Sequence, residues 1–314
     1  MTIDQLSKRS ESIHFTNFTN FINFKNFTNL INFINLTNFI NFTNFMNSKT
    51  FKSIALIAAL GLALGSCSFK IGGTHQVKAE GADVTGTAQI GNFNKIEANQ
   101  GITVNYKVGN TVSVDYIVPE SLKPYFEIKN DEGTLECKFH DISVSLDNRN
   151  VVVNVTAPAV YSFEASSLAT INALDTIRVH ELELEASSSS TINIAAAIAQ
   201  KAEIDASSSS TISVAYCEAQ EAELDASSAS EIDFNGNIAR LDAESSSSST
   251  INIAGTCGYL RAEASSAGTV DANRATVESG NLSASSGADI NVPQPQKSPY
   301  TQNSNSGGSI KVAQ

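Results

Sequence analysis

The chain has little of what most catalytic and metal sites are built from. Its 314 residues include no tryptophan, four histidines and four cysteines. The histidines stand singly, so the Cys/His spacing of a zinc site is missing and no base recurs beside the many serines. We therefore predict no catalytic residues and no cofactor. Aromatic residues make up 7% of the chain, which weakens the case for a surface on which sugars stack.

Positive charge is also scarce. The chain carries 20 Lys and Arg against 32 Asp and Glu, a formal net charge of −12. Residues 1–66 contribute five of these cations and two of these anions, so the rest of the chain has a net charge of −15. Such a surface repels nucleic acid and anionic lipid. We predict no nucleic-acid partner.

The most informative feature of the sequence is a repeat. Residues 185–194 read EASSSSTINI, and residues 205–214 repeat the phrase as DASSSSTISV. Successive copies lie 19–21 residues apart when they are aligned on one position, at Thr170, Thr191, Thr211, Glu231, Thr250, Thr269, Asp289 and Ser309. A repeat of this length indicates a solenoid, in which each unit buries its apolar face by stacking on its neighbours.

Each repeat contains two short runs of alternating apolar and polar residues, the pattern of a half-buried strand. The inward residues align in three columns, which contain Ile171, Ile192, Ile212, Ile232, Ile251, Val270, Ile290 and Ile310; Ala173, Ile194, Val214, Phe234, Ile253, Ala272, Val292 and Val312; and Phe163, Leu184, Ile204, Leu224, Ala243, Ala262 and Leu282. Leu241 and Leu260 compensate for Ala243 and Ala262, as close packing requires. We predict an all-β fold, a single-stranded right-handed parallel β-helix with coils of about 20 residues.

Segments rich in serine and alanine join the two strands of each repeat. Small residues allow a sharp turn, and stacked hydroxyl groups can bond to one another and to the backbone. A catalytic or glycosylated serine is the alternative, but a nucleophile needs a nearby base and no histidine recurs there. We interpret these corners as structural.

One outward row of the repeat is acidic. In six copies an acid immediately precedes the serine corner, at Glu164, Glu185, Asp205, Asp225, Glu244 and Glu263. Stacked strands place such carboxylates about 5 Å apart, which suits a face for divalent cations or cationic ligands. The alternative is a solvated face that prevents lateral aggregation. Because Lys201, Arg240 and Arg261 interrupt the acid rows, we predict no metal and keep the six acids as a candidate ligand face.

Three cysteines, Cys137, Cys217 and Cys257, lie in the predicted β-helix. Cys217 and Cys257 fall near the same corner but two coils apart, about 10 Å by the strand spacing. A disulfide needs Cα atoms within about 7 Å of each other. We predict free, partly buried thiols.

The N-terminal part reads as an export leader. Residues 1–45 contain asparagine at every third position over a long stretch, which suits neither helix nor strand, and we predict that the natural product starts at Met46. Residues 46–66 have the basic start and short apolar stretch of a signal peptide. Leu64-Gly65-Ser66-Cys67 then resembles the lipobox of bacterial lipoproteins, which implies a lipid on Cys67 and a firm membrane anchor.

Two further segments follow. Residues 67–89 are predicted as a lipidated tether and residues 90–314 as the β-helix domain, with irregular first coils and a cap over 90–160 and regular coils over 161–314. A cap is expected because an open end exposes unpaired strand edges. Within it, Gly109-Asn110 between two alternating runs predicts a hairpin.

The order of motifs from residue 90 to 310 resembles the GIN domain, a family also called the putative auto-transporter adhesin head domain. The matching positions are Phe93, Ile96, Gly101-Ile102, Val104, Gly133-Thr134-Leu135, Val153, Val155 and Pro158, followed by the Ala-Ser-Ser coils. The resemblance implies a right-handed parallel β-helix, without established catalytic residues, of the kind found in lipoproteins and exported proteins of the Bacteroidetes.

These features predict a non-enzymatic, lipid-anchored protein of the cell envelope, in the outer membrane, whose rod binds a glycan or a cell-surface protein. A structural scaffold or assembly partner in the envelope is the alternative. A polysaccharide lyase or hydrolase is a third hypothesis, but coils of 19–21 residues leave no room for the long loops of a substrate groove.

Overall fold

The computed structural model describes residues 75–145 and 151–313, which belong to one compact unit. These residues form β-strands and one 3-10 turn (Lys123–Tyr125), without an α-helix among them. The strands are β1 (His75–Lys78), β2 (Asp83–Ala88), β3 (Lys95–Ala98), β4 (Ile102–Val108), β5 (Ser113–Pro119), β6 (Phe126–Asp131), β7 (Thr134–Phe139), β8 (Ile142–Ser145), β9 (Val151–Ala157), β10 (Ser162–Ala165), β11 (Thr170–Arg178), β12 (Glu181–Ala186), β13 (Thr191–Ile198), β14 (Lys201–Ala206), β15 (Thr211–Ala226), β16 (Glu231–Ser245), β17 (Thr250–Ala264), β18 (Thr269–Ala284), β19 (Asp289–Val292), β20 (Thr301–Ser304) and β21 (Ser309–Val312). In these two ranges, no helix has the length and apolar character needed to cross a membrane.

Two parallel sheets run the length of the stack of coils. The first sheet contains the strands before the corners, in the spatial order β7, β3, β10, β12, β14, the second halves of β15 to β18, and β20. The second sheet contains the strands after the corners, in the order β9, β4, β11, β13, the first halves of β15 to β18, β19 and β21. Thr170 pairs with Thr191, Thr191 with Thr211, and the alignment continues to Ser309. The predicted parallel β-helix with coils of about 20 residues is confirmed.

The core consists of the three inward columns expected from the repeat. Their members are buried up to the last coil, where Ile310 and Val312 are only half buried. Leu241 and Leu260 are fully buried beside Ala243 and Ala262, as the compensation of volumes requires. On the next coil Gly280 pairs with Leu260, and an added Cβ at Gly280 would collide with the carbonyl oxygen of Leu260.

The first coils do not stack in the order of the chain. β3 pairs with β7 on one side and β10 on the other, and β4 likewise lies between β9 and β11. The outermost coil is therefore formed by residues that come later than those of its neighbour. Antiparallel strands cover its edge: β5 pairs with β9, β2 with β5, and β6 with β7.

Two expectations for this end are wrong. β1 and β2 lie within residues predicted as a tether, so among the described residues strands are already present from His75, well before Ile90. The apolar signal of β2 is weak because it contains Gly86, where a Cβ would collide with the ring of Tyr116. β4 and β5 do not form a hairpin, because β9 lies between them and pairs with both. The predicted leader over residues 1–66 and the lipidation site Cys67 lie outside the described residues.

Candidate functional site

The six acids predicted as a ligand face form one row on the first sheet, and the row is longer than expected. Register places Glu164 opposite Glu97, which in turn lies opposite Glu136. The full acid row is Glu136, Glu97, Glu164, Glu185, Asp205, Asp225, Glu244 and Glu263. Sequence reasoning missed Glu97 and Glu136 because the first coils stack out of order.

Cations neutralise both ends of the acid row. Lys129 Nζ lies 3.3 Å from a carboxylate oxygen of Glu136, and Lys138 contacts the same carboxylate. At the other end the guanidinium of Arg261 lies 2.9 Å from Glu244 and 2.5 Å from Glu263. The middle of the row lies between these two sets of ion pairs.

The four middle acids, Glu164, Glu185, Asp205 and Asp225, form no ion pair within the described part of the chain. Loss of water around the charged form, followed by repulsion from neighbouring carboxylates, raises the pKa of Glu164 and of Asp205 to about 7 and that of Asp225 to about 8. Desolvation also raises the pKa of Glu185. The middle of the row is therefore only partly ionised near neutral pH.

The acid row does not have the geometry of a metal centre. Parallel strands hold its carboxylates side by side in a line, whereas calcium takes six to eight oxygens that converge on one point. Among residues 75–145 and 151–313, no group of three or more His, Cys, Asp or Glu side chains converges in that way.

The serine corners are sharp turns with left-handed backbone angles at both central residues. At the corner of residues 187–190, φ is 54° at Ser188 and 62° at Ser189, and the Ser190 N–H donates to the Ser187 carbonyl oxygen over 3.2 Å. Positive φ at both central positions is the geometry of a type I′ turn. The pair of angles recurs at residues 208–209, 228–229, 247–248, 266–267, 286–287 and 306–307.

One serine at each of four corners is buried and holds neighbouring coils together. Ser190 Oγ donates to the carbonyl oxygen of Ala165 over 2.8 Å and accepts the Ser187 N–H over 3.1 Å. The same two bonds are made by Ser210, Ser230 and Ser249. These contacts support the structural interpretation of the corners.

The outward face of the second sheet carries a polar array that sequence reasoning did not single out. We name it the Thr–Asn face, and its two columns are Thr103, Thr170, Thr191 and Thr211, and Asn154, Asn105, Asn172, Asn193 and Ser213. The signal that could have found it is the shared spacing in Thr103-Val104-Asn105 and Thr191-Ile192-Asn193.

The asparagines of this face are hydrogen-bonded from coil to coil. Asn105 Nδ2 donates to Asn154 Oδ1 over 3.1 Å, Asn172 Nδ2 to Asn105 Oδ1 over 3.0 Å, and Asn193 Nδ2 to Asn172 Oδ1 over 2.9 Å. Each side chain is thereby fixed in one orientation, as in other stacked asparagine ladders.

A shallow cavity of about 580 Å³ lies on the side of the rod that is formed by the middle residues of β15 to β18, between the parts of these strands that belong to the two sheets. Ala239 and Gly258 are among the residues that line it, with Asn237 and Thr256 beside them. Its two carboxylates, Glu218 and Glu278, are three coils apart, or about 14 Å by the strand spacing. That separation exceeds the roughly 5–9.5 Å between paired carboxylates of glycosidases.

The three cysteines are free and buried, which agrees with the absence of disulfides expected from their spacing. Burial raises the pKa of each thiol to about 12. A thiol with such a pKa is a poor nucleophile, because the thiolate is the reactive form.

The fold and its faces define an end-capped β-solenoid that presents long, regular arrays of side chains. The chain belongs to the family described as "Putative auto-transporter adhesin, head GIN domain", whose model matches residues 92–215 and 202–313. The resemblance seen in the sequence is confirmed. This family is not a known class of enzyme.

Solved structures share the fold. A "putative adhesin" from Parabacteroides merdae ATCC 43184 matches with a TM-score of 0.67 and 18% identity over 76% of this chain and 99% of its own. A "putative adhesin" from Bacteroides fragilis NCTC 9343 matches with a TM-score of 0.56 and 15% identity, over 75% of this chain and 99% of its own. A "putative lipid binding protein" from Parabacteroides distasonis ATCC 8503 matches with a TM-score of 0.61 and 14% identity, over 76% of this chain and 100% of its own. No curated protein matches the sequence.

Proposed function

We propose that the protein is a lipid-anchored adhesin of the cell envelope, in the outer membrane, which binds a glycan or a cell-surface protein without catalysing a reaction. The regular stacking of strands in the two sheets is the observation that supports the proposal. Coils of nearly constant length stack in register, so each outward face is a continuous array of repeated groups. Such an array suits a repeating ligand, because many weak contacts act together.

The absence of catalysis is supported by the same geometry. The described coils lack long loops around a cleft, and the two carboxylates of the shallow cavity are too far apart to act on one bond. The description of the family agrees with a binding role.

The lipid on Cys67 would keep the capped end of the rod near the membrane. Only seven residues, 68–74, separate Cys67 from the start of β1 at His75, and the eight Cα–Cα steps of a fully extended chain between them span about 28 Å.

Two experiments test the proposal. Metabolic labelling of cells with a palmitate analogue should label the full chain and not its Cys67→Ser variant, and the label should fractionate with outer membranes. Residues 68–314 should bind saturably to at least one member of a panel of bacterial and host polysaccharides and cell-surface proteins, with calcium and with chelator. Cleavage of a bound polymer would overturn the non-enzymatic assignment, and failure to bind any member would favour a scaffold.

A further inference from the structure

Exposed apolar side chains are concentrated beside the Thr–Asn face. Within the described residues, four large apolar side chains are well exposed, and all four border this face. Val108, Leu174 and Tyr216 follow the asparagine column by two or three residues on their strands, and Leu168 lies in the corner before Thr170. These side chains place apolar groups along both borders of the face, where a bound ligand could cover them.

The Thr–Asn face carries no charge over five coils. Its columns hold only threonine, asparagine, serine and Val152 from the coil of β9 to that of β15. Charges begin at Glu231 and Asp233 on the next coil and at Asp115 beyond β9, and Lys107 and Asp175 stand at the outer border. Because acids flank the face on a chain of net charge −12, an anionic polymer would be repelled from it.

The polar groups of the face have fixed positions and unused hydrogen-bonding capacity. The inner amides, Asn105 and Asn172, each use one N–H and one carbonyl lone pair in the ladder and keep a second of each. The hydroxyl groups of Thr170, Thr191 and Thr211 have no hydrogen-bond partner within the described ranges. Donors and acceptors thus recur about 4.8 Å apart along the rod and about 6.7 Å apart along each strand. A fixed array loses little entropy when it binds.

We propose that the Thr–Asn face and its apolar border bind an extended neutral polysaccharide that lies along the rod. Sugars present hydroxyl groups at their edges and C–H groups on their faces, which match polar columns bordered by Leu174 and Tyr216. A second copy of the chain is a poorer occupant, because the centre of a protein interface is apolar and this centre is polar. The inference rests on the proposed adhesin function and names its face and its ligand class.

The test compares neutral and anionic polymers on residues 68–314. Relatives whose chains consist almost wholly of the corresponding region adopt the same fold, so this fragment is a suitable unit. The neutral probes are a soluble β-1,3-glucan and a mannan, and the anionic probes are polygalacturonate and hyaluronate. Thr170→Val combined with Thr191→Val removes two hydroxyl groups at constant shape, and Tyr216→Ser removes the ring. Thr250→Val combined with Thr269→Val, which lie on coils outside the Thr–Asn face, is the matched control.

We expect a neutral polymer to be bound, and oligomers shorter than the face, which spans about 20 Å, to be bound less tightly. The double threonine variant should lose about tenfold in affinity, because two ordinary hydrogen bonds are lost. The Tyr216→Ser variant should also bind more weakly, and the control should bind like the parent. Unchanged unfolding temperatures would show that the variants fold.

Four results would overturn the inference. If the parent binds a neutral polymer and the threonine and Tyr216 variants bind it equally well, the face is wrong while the proposed function stands. Binding of anionic polymers alone would show that the uncharged face is not the binding site. Dimerisation in light scattering that is lost in Tyr216→Ser would assign the face to a second copy. Absence of binding to every polymer would remove this inference, and absence of binding to proteins as well would remove the proposed function.

Discussion

Ser190 donates a hydrogen bond from its Oγ to the carbonyl oxygen of Ala165, one coil away, over 2.8 Å. We expect Ser190→Ala to lower the free energy of unfolding by about 1 kcal/mol, because both hydrogen bonds of the hydroxyl group are lost while the Ser187 N–H keeps its bond to the Ala165 carbonyl oxygen over 3.0 Å. Urea denaturation of residues 68–314 measures it. Ser189→Ala is the control, since Ala229 and Ala267 occupy the same exposed turn position in other corners. Equal losses in both variants would contradict the assigned role.

Gly280 is required by the close approach of neighbouring coils. A Cβ at this position would collide with the carbonyl oxygen of Leu260, and Tyr300 packs on the other side. Overpacking of this kind costs about 1–3 kcal/mol, so Gly280→Ala should lower the unfolding temperature by several degrees. Gly91→Ala, where an added Cβ meets no atom within 4 Å, should change it little. Calorimetry of the two variants checks the difference.

The acid row makes stability depend on pH. The folded pKa values of Glu164, Asp205 and Asp225, about 7, 7 and 8, lie above the ordinary values of 4.5 and 3.8. Between these limits the unfolded chain has released protons that the folded chain still holds, so rising pH favours unfolding. We expect the urea midpoint to fall from pH 5 to pH 8.

Asp225→Asn should reduce that slope. It removes one negative charge from the middle of the row, and we expect a gain of about 1 kcal/mol at pH 8 and little change at pH 4. Glu218→Gln, an acid outside the row, should leave the slope unchanged. Stability that rises between pH 5 and pH 8 in the parent would refute the role of the row.

The three thiols should be inert in the folded protein. Cys137, Cys217 and Cys257 are buried, and their pKa values of about 12 leave almost no thiolate at pH 8. We expect no reaction of residues 68–314 with a thiol reagent under native conditions and three equivalents in guanidinium chloride. Rapid native labelling of any one of them would show that its coil opens.

The regular coils were predictable because their sequence repeats. Thr170, Thr191 and Thr211 occupy equivalent positions, and period-two alternation fixes which neighbours face inward. The position of the first coils was not predictable. Ile96-Glu97-Ala98 has the pattern of Phe163-Glu164-Ala165, but a pattern identifies a coil without saying on which neighbour it stacks.

The functional surfaces were predictable only in part. The acid row was found where the repeat is regular, and its two extra members depend on the stacking order. The Thr–Asn face was overlooked because threonine and asparagine on a strand are ordinary outward residues. Its distinguishing features are the direction of the amide hydrogen bonds and the nearby Tyr216, which only three-dimensional contacts reveal.

The antiparallel strands over β9 and β7 close one end of the stack, whereas β20 and β21 each pair with one neighbour only. The closed end therefore offers no free strand edge for a further coil. Duplication of a single 20-residue unit within the regular region would lengthen the molecule by about 4.8 Å and leave the closed end untouched. The length of the molecule can thus change in small, equal steps, independently of the closed end.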